Sequence, residues 1–167
     1  NETPGEWYDY QDIFDIVKKA GYRTAWLSNQ ESSGFYGSIG RVYAERCDEG
    51  RFTMKTSHTI DLTERYDEQV LPLLDQTLQK SGERNFFVVH LMGAHEDFKR
   101  RYPAEFNVFQ AENETGDTEE HRQVRAEYDN AVLYNDYIVD QILQRFEDKN
   151  AIVIYVSDHA EEVYDLR

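Results

Sequence analysis

Residues 85–91 read Asn-Phe-Phe-Val-Val-His-Leu, an unbroken apolar run of strand length with a histidine near its end. A run without polar alternation is the pattern of a strand buried on both faces. Residues 151–156, Ala-Ile-Val-Ile-Tyr-Val, repeat it and form the clearest strand of the chain. Residues 23–28, Arg-Thr-Ala-Trp-Leu-Ser, read as a shorter third strand. Helical periodicity fills the spaces between. Over 8–20, Tyr10, Ile13, Phe14 and Val17 share a face, with Asp9 and Asp12 at the start and Gly21 at the stop. Over 66–80, Val70, Leu73, Leu74 and Leu78 do the same, and Pro72 lies in the first turns, where it is tolerated. Over 119–148, Val124, Tyr128, Val132, Asn135, Ile138, Val139, Ile142 and Leu143 run in near-helical register. Residues 29–40 are rich in Ser and Gly and read as a loop, and 95–118 as a long polar surface excursion. Apolar strands alternating with helices predict an α/β fold, a mainly parallel sheet flanked by helices on both faces.

Composition removes whole classes of function. The 167 residues carry 33 acidic and 18 basic side chains, a net charge of -15, which repels phosphate backbones and argues against nucleic-acid binding. A hydrophobic fraction of 40% with 14% aromatics suffices for a packed core. No apolar run approaches the roughly 20 residues of a membrane span. The one cysteine, Cys47, makes no intrachain disulfide and reads as an incidental or buried thiol. The opening Asn1-Glu2-Thr3-Pro4 is unlike a leader, so the chain reads as an excised soluble piece, a single partial domain over 1–167.

In open parallel sheets ligands collect beyond the carboxyl ends of the strands. Three such ends are expected: Ser28-Asn29-Gln30, His90 to His95, and Ser157-Asp158-His159. Asp158 and His159 side by side can ligate one divalent ion through carboxylate oxygen and imidazole nitrogen, or Asp158 can cap a following helix. Gly93 allows a sharp turn that can bring His95 back over the sheet edge into a polar site or leave it on the surface, whereas His90 by itself reads as a hydrogen-bonded core histidine. Lys99, Arg100 and Arg101, a rare cationic cluster here, suit an anionic group or a solvated loop face. His58 and His121 read as surface residues. Tyr128, Tyr134 and Tyr137 read as core, and Asp129, Asn130, Asn135 and Asp136 as a solvated helix face or as residues turned toward the site.

Several motifs occur in order: Leu27-Ser28-Asn29-Gln30 after Trp26; Tyr66-Asp67-Glu68 before Leu71-Pro72; His90-x-x-Gly93-x-His95 running on to Arg101-Tyr102-Pro103; Tyr128-Asp129-Asn130; and Ser157-Asp158-His159-x-Glu161. Together they resemble the catalytic domain of the sulfatase-like phosphoethanolamine transferases of the alkaline phosphatase superfamily, over almost the whole chain. The resemblance implies a zinc-dependent enzyme, with one or two ions or another divalent metal, facing the periplasm from the bacterial inner membrane. It implies phosphatidylethanolamine as donor, a threonine that carries the phosphoethanolamine, and a lipopolysaccharide core, lipid A-type or other envelope glycan acceptor. By position it makes Asp158 and His159 metal ligands and His90 and His95 substrate-binding residues. It also implies that the nucleophilic threonine, an acidic metal ligand and the membrane anchor precede these residues and that a further histidine ligand follows. No catalytic nucleophile is therefore expected within 1–167, and the piece alone is expected to be inactive. Ala160 and Ala94-His95-Glu96-Asp97 depart from the smaller, glycine-containing turns of the resemblance. Two other readings stand beside it: a sulfatase or phosphodiesterase-type hydrolase using much the same metal site, and a non-catalytic binding domain with a degenerate site.

Overall fold

A computed structural model describes residues 10–32, 38–54 and 66–164. The chain divides into two compact units, one formed by 1–61 and 72–91, the other by 62–71 and 92–167.

The first unit is built on a three-stranded parallel sheet. Its strands are β1 (Arg23–Glu31), β2 (Glu49–Met54) and β3 (Asn85–His90), in the order β2-β1-β3. Trp26 pairs with Gly50 on one side and with Val88 on the other. The central position of β1 explains why Thr24, Ala25, Trp26, Leu27, Ser28 and Asn29 are all buried in succession. Successive side chains of a strand point to opposite faces, so both faces of β1 are covered. Helices α1 (Ile13–Lys19) and α2 (Ser38–Arg46) pack on the sheet, and Phe14, Trp26 and Ala44 form the cluster between them, joined by Tyr43, Phe52, Phe86 and Val88. Phe14 meets Trp26 and Phe86 edge-on, at ring centroid distances of 6.0 and 5.7 Å. Such pairs add about 0.5–1.5 kcal/mol to the area they bury.

Helix α1 is shorter than its predicted span and begins at a capping box. Asp12 accepts from the amides of Phe14 and Asp15, and the Asp15 carboxylate accepts from the Asp12 amide. Gly21 ends it with φ of 84°, as expected. Asp9 and His58 lie outside the described residues. Helix α3 (Leu71–Gln79) follows a 3-10 turn at Asp67–Val70, together matching the predicted helix, with Pro72 in its first turn.

The predicted loop over 29–40 overlaps the end of β1 and the start of α2, and β2 was not legible at all. Its sequence, Glu-Gly-Arg-Phe-Thr-Met, is half polar and becomes a strand through its pairing with β1. Cys47 is half-buried, and burial pushes its thiol up to about 11.

The second unit is organised by α4 (Glu119–Gln144), capped by Thr118, whose hydroxyl accepts from the His121 amide. Its buried line is Ala126, Asn130, Ala131, Tyr134, Ile138 and Ile142. The predicted apolar register shares Ile138 and Ile142 with it, but Val132 and Leu143 are exposed. Tyr134 is core as expected; Tyr137 is exposed. Asn130, expected on a solvated face, is wholly buried. Its Oδ1 accepts from the amides of Val108 and Phe109, each at 2.8 Å, and its Nδ2 donates to the Phe109 carbonyl at 3.0 Å. A polar side chain with its bonds satisfied is as good a core residue as an apolar one, which periodicity in hydrophobicity cannot register. The excursion over 95–118 is laid against α4 in three short 3-10 turns, Phe98–Arg100, Ala104–Phe106 and Ala111–Asn113.

The expected strand at 151–156 carries no strand pairing among the described residues. Ile152 is 91% exposed, Ile154 80% and Val156 77%. β-Propensity marks a segment fit to lie in a sheet; the ladder itself requires a neighbouring strand. The segment is tied to α4 by a side-chain bond, Asn135 Nδ2 donating to the Tyr155 hydroxyl at 2.6 Å.

Candidate active site

In the first unit, Ser28 and His90 are the last matched pair of the β1–β3 ladder and lie directly opposite each other. Ser28 Oγ lies 3.1 Å from His90 Nδ1 and also accepts from the Gln30 amide. The Trp26 ring stands 5.2 Å from the imidazole. Ser28 is fully buried, so the register of the parallel ladder, rather than an open cleft, sets this pair. His90 is thus hydrogen-bonded, as the residue reading predicts.

The second unit holds the other three predicted residues. The chain after β3 turns sharply at Gly93, as the sequence reading expects, and its φ of 61° is left-handed. Asp67 accepts from two consecutive amides of that turn, Met92 at 2.9 Å and Gly93 at 2.8 Å. Two residues on, the ring of His95 faces that of His159 edge-on at a centroid distance of 6.2 Å. The Nδ1 atom of His95 is buried and makes no hydrogen bond among the described residues. Buried polar atoms are nearly always paired, so an orphaned imidazole nitrogen beside a second imidazole points to a partner from outside the chain.

Arg101 is expected either to hold an anion or to lie on a solvated loop face. Its guanidinium is instead spent on the turn itself: Nε donates to the carbonyls of His95 and Glu96 at 3.2 and 3.1 Å, and Nη2 to that of Glu96 at 2.6 Å. Burial holds this guanidinium below its ordinary value, with Asp97 and Asp67 acting the other way. Arg100 pairs with Asp97. Lys99 is exposed, as a solvated loop face requires.

Asp158 and His159 lie on an exposed bend, and no helix follows for Asp158 to cap among the described residues. His159 Nε2 lies 3.9 Å from Asp158 Oδ1, and Nδ1 lies 3.9 Å from Glu161 Oε1. His159 Nδ1 also lies 3.1 Å from the Ala160 carbonyl. A carbonyl only accepts, so Nδ1 carries the proton and Nε2 is left to bind a metal when the ring is neutral. That same bond, with the charges of Asp158 and Glu161, raises the imidazole above its ordinary value. The donors fit zinc in kind, carboxylate oxygen beside imidazole nitrogen. Among the described residues no three His, Cys, Asp or Glu side chains gather closely enough to hold an ion. Asp158 and His159 are therefore two donors of suitable kind standing side by side.

The segment beyond His159 is anchored on α4. Arg125 donates to the carbonyls of Val163 and Tyr164 at 3.2 and 2.8 Å, and Val163 is buried. His121, expected as an unsupported surface residue, stacks on Tyr164 at 4.0 Å with the rings 14° apart. Sequence reading missed the roles of Asp67 and Arg125. Asp67 had a signal in the Tyr66-Asp67-Glu68 motif, but its role depends on backbone amides that no side-chain pattern reveals.

With this geometry in view, the comparisons fix the family. The sulfatase family model matches residues 1–167, and the chain belongs to that family. It is 30% identical over 169 residues to phosphoethanolamine transferase EptC of Escherichia coli, covering 98% of this chain and 29% of that one. It is 32% identical over 171 residues to phosphoethanolamine transferase CptA of Salmonella typhimurium, covering 99% of this chain and 29% of the relative. Its fold matches the crystal structure of the C-terminal periplasmic domain of EptC from Escherichia coli in complex with Zn, with TM-score 0.83 and 28% identity, over 93% of this chain and 44% of that one. The chain thus spans under a third of the curated relatives it matches. No helix among the described residues is long and apolar enough to cross a membrane.

Proposed function

We propose that this chain is part of the catalytic domain of a zinc-dependent phosphoethanolamine transferase, working on the periplasmic side of the bacterial inner membrane and anchored there by a separate segment. The donor is phosphatidylethanolamine, and the acceptor a lipid A-type or other envelope glycan. A threonine outside these residues takes the phosphoethanolamine as diacylglycerol leaves with the hydroxyl proton, and an acceptor hydroxyl then displaces the threonine. Asp158 and His159 are metal ligands, His95 holds the phosphoryl group, and the piece alone is inactive. Bound zinc would lower the pKa of the attacking hydroxyl and offset the charge of the transferring group. His95 offers a hydrogen bond to phosphoryl oxygen, and the Ala160 carbonyl fixes the tautomer of His159.

One observation carries this reading: His95 and His159, from turns far apart in sequence, face each other with the His95 Nδ1 buried and unpaired. The names of the relatives support the chemistry, and the zinc-bound neighbour supports the metal. The test is zinc content and transfer in the full-length protein for Asp158→Asn, His159→Gln and His95→Gln. The first two are expected to lose zinc and transfer together, and His95→Gln to lose transfer while keeping zinc. Full transfer in all three refutes the proposal. Zinc-dependent release of phosphoethanolamine to water, without transfer, moves it to the hydrolase reading.

A further inference from the structure

We infer that Asp67 is a positioning residue for His95, clamping through its buried carboxylate the turn that presents the imidazole. The inference rests on the role given to His95 above.

Asp67 is only 4% exposed. A carboxylate taken out of water is costly unless hydrogen bonds replace its hydration. Here both oxygens are engaged by the turn, Oδ1 by the Met92 amide and Oδ2 by the Gly93 amide. Charge-assisted bonds to two successive amides fix a backbone more firmly than either bond alone. Asparagine does not substitute, because its amide group turns a donor toward one of the two N–H groups. The far end of the same turn is gripped by Arg101, bound to the carbonyls of His95 and Glu96. An anion therefore holds the donors of the turn and a cation its acceptors, with His95 between them.

The clamp also has a reference frame. The amide of Glu68, the next residue, donates to the Tyr134 hydroxyl on α4 at 3.3 Å, and Tyr134 is buried. Helix α4 further holds Tyr155 through Asn135, and Val163 and Tyr164 through Arg125. The turn carrying His95 and the segment carrying Asp158 and His159 are thus both registered on one helix. That registration is what a facing pair of imidazoles requires, since small displacements of reacting groups are expensive in rate.

The experiment uses the full-length protein with phosphatidylethanolamine in detergent micelles as donor, with Asp67→Asn, His95→Gln and, as a core control, Ile142→Ala. Transfer kinetics are read well below each melting temperature, beside backbone hydrogen exchange of peptides covering 91–97. Asp67→Asn is expected to lower kcat by about ten- to hundred-fold with KM within about two-fold, the range for loss of a group supporting a site residue. Exchange is expected to rise at 91–97 and not along α4. Ile142→Ala, less stable but with the turn intact, is expected to keep kcat within about three-fold. Should Asp67→Asn fail to fold, Arg101→Gln carries the same prediction from the other end of the turn. Transfer within about three-fold of wild type in the folded variant, or exchange unchanged at 91–97, overturns the inference. Wild-type transfer in His95→Gln removes the reading beneath it; loss there with full transfer in Asp67→Asn removes the clamp alone.

Discussion

Gly93→Ala isolates the backbone term of the candidate site. The residue sits at φ of 61°, and a Cβ added there would meet only Asn135 Oδ1, at 3.7 Å, an ordinary contact. Steric overlap therefore contributes nothing, and the whole cost is that of holding an L-residue in the left-handed region, about 1–2 kcal/mol. The Gly93 amide still donates to Asp67, so that bond adds no further loss while the turn persists. The expected result is a loss of about 1–2 kcal/mol, read as a lower urea midpoint at unchanged slope. Gly93→Asn is expected to lose less, because asparagine tolerates this conformation. A larger loss with a reduced slope would mean that the turn flips and surrenders its two bonds to Asp67. The reasoning is refuted by a stability gain, since glycine-to-alanine at an ordinary negative φ stabilises by about 0.4–1 kcal/mol.

Other expectations follow from named contacts. Asn130→Ala removes the acceptor of two amides and the donor to Phe109, and is expected to cost about 2–4 kcal/mol, with faster exchange at 107–109. Glu49 loses hydration by burial, but bonds from Arg23 and Thr77 and the charge of Lys80 outweigh this and hold it below 4.5. Its folded value is depressed, so its stabilisation is complete above that pH and is lost as pH falls toward the folded value; Glu49→Gln is expected to flatten this acid limb in unfolding curves taken at successive pH values. Cys47, at about 11 against an ordinary 9.0, is expected to carry roughly a hundredth of the usual thiolate, so native protein at neutral pH labels far more slowly than protein in urea.

What was legible in the sequence was what local pattern encodes. A continuous apolar run marked β3 and a shorter mixed stretch β1, and the sharp turn at Gly93 was expected because glycine admits backbone conformations that other residues rarely adopt. What was not legible depends on partners. The segment 151–156 has every mark of a strand yet pairs with nothing described, whereas the half-polar β2 is a strand because β1 lies beside it. Asn130 and Asp67 are buried polar residues whose bonds run to distant backbone, so composition placed the first outside and gave the second no role. Arg101 read as an anion holder or part of a solvated loop face because charge alone does not distinguish a phosphate or water from two carbonyls of its own loop. His95 and His159 were found through strand-end motifs; their facing rings and the unpaired Nδ1 needed coordinates.

The most direct test of the central claim is mass spectrometry of the full-length protein, purified with zinc and incubated with phosphatidylethanolamine. The account predicts a phosphoethanolamine adduct on a threonine outside these residues, absent from the Asp158→Asn and His159→Gln variants. An unmodified zinc-loaded protein, or an adduct that persists in both variants, would contradict it.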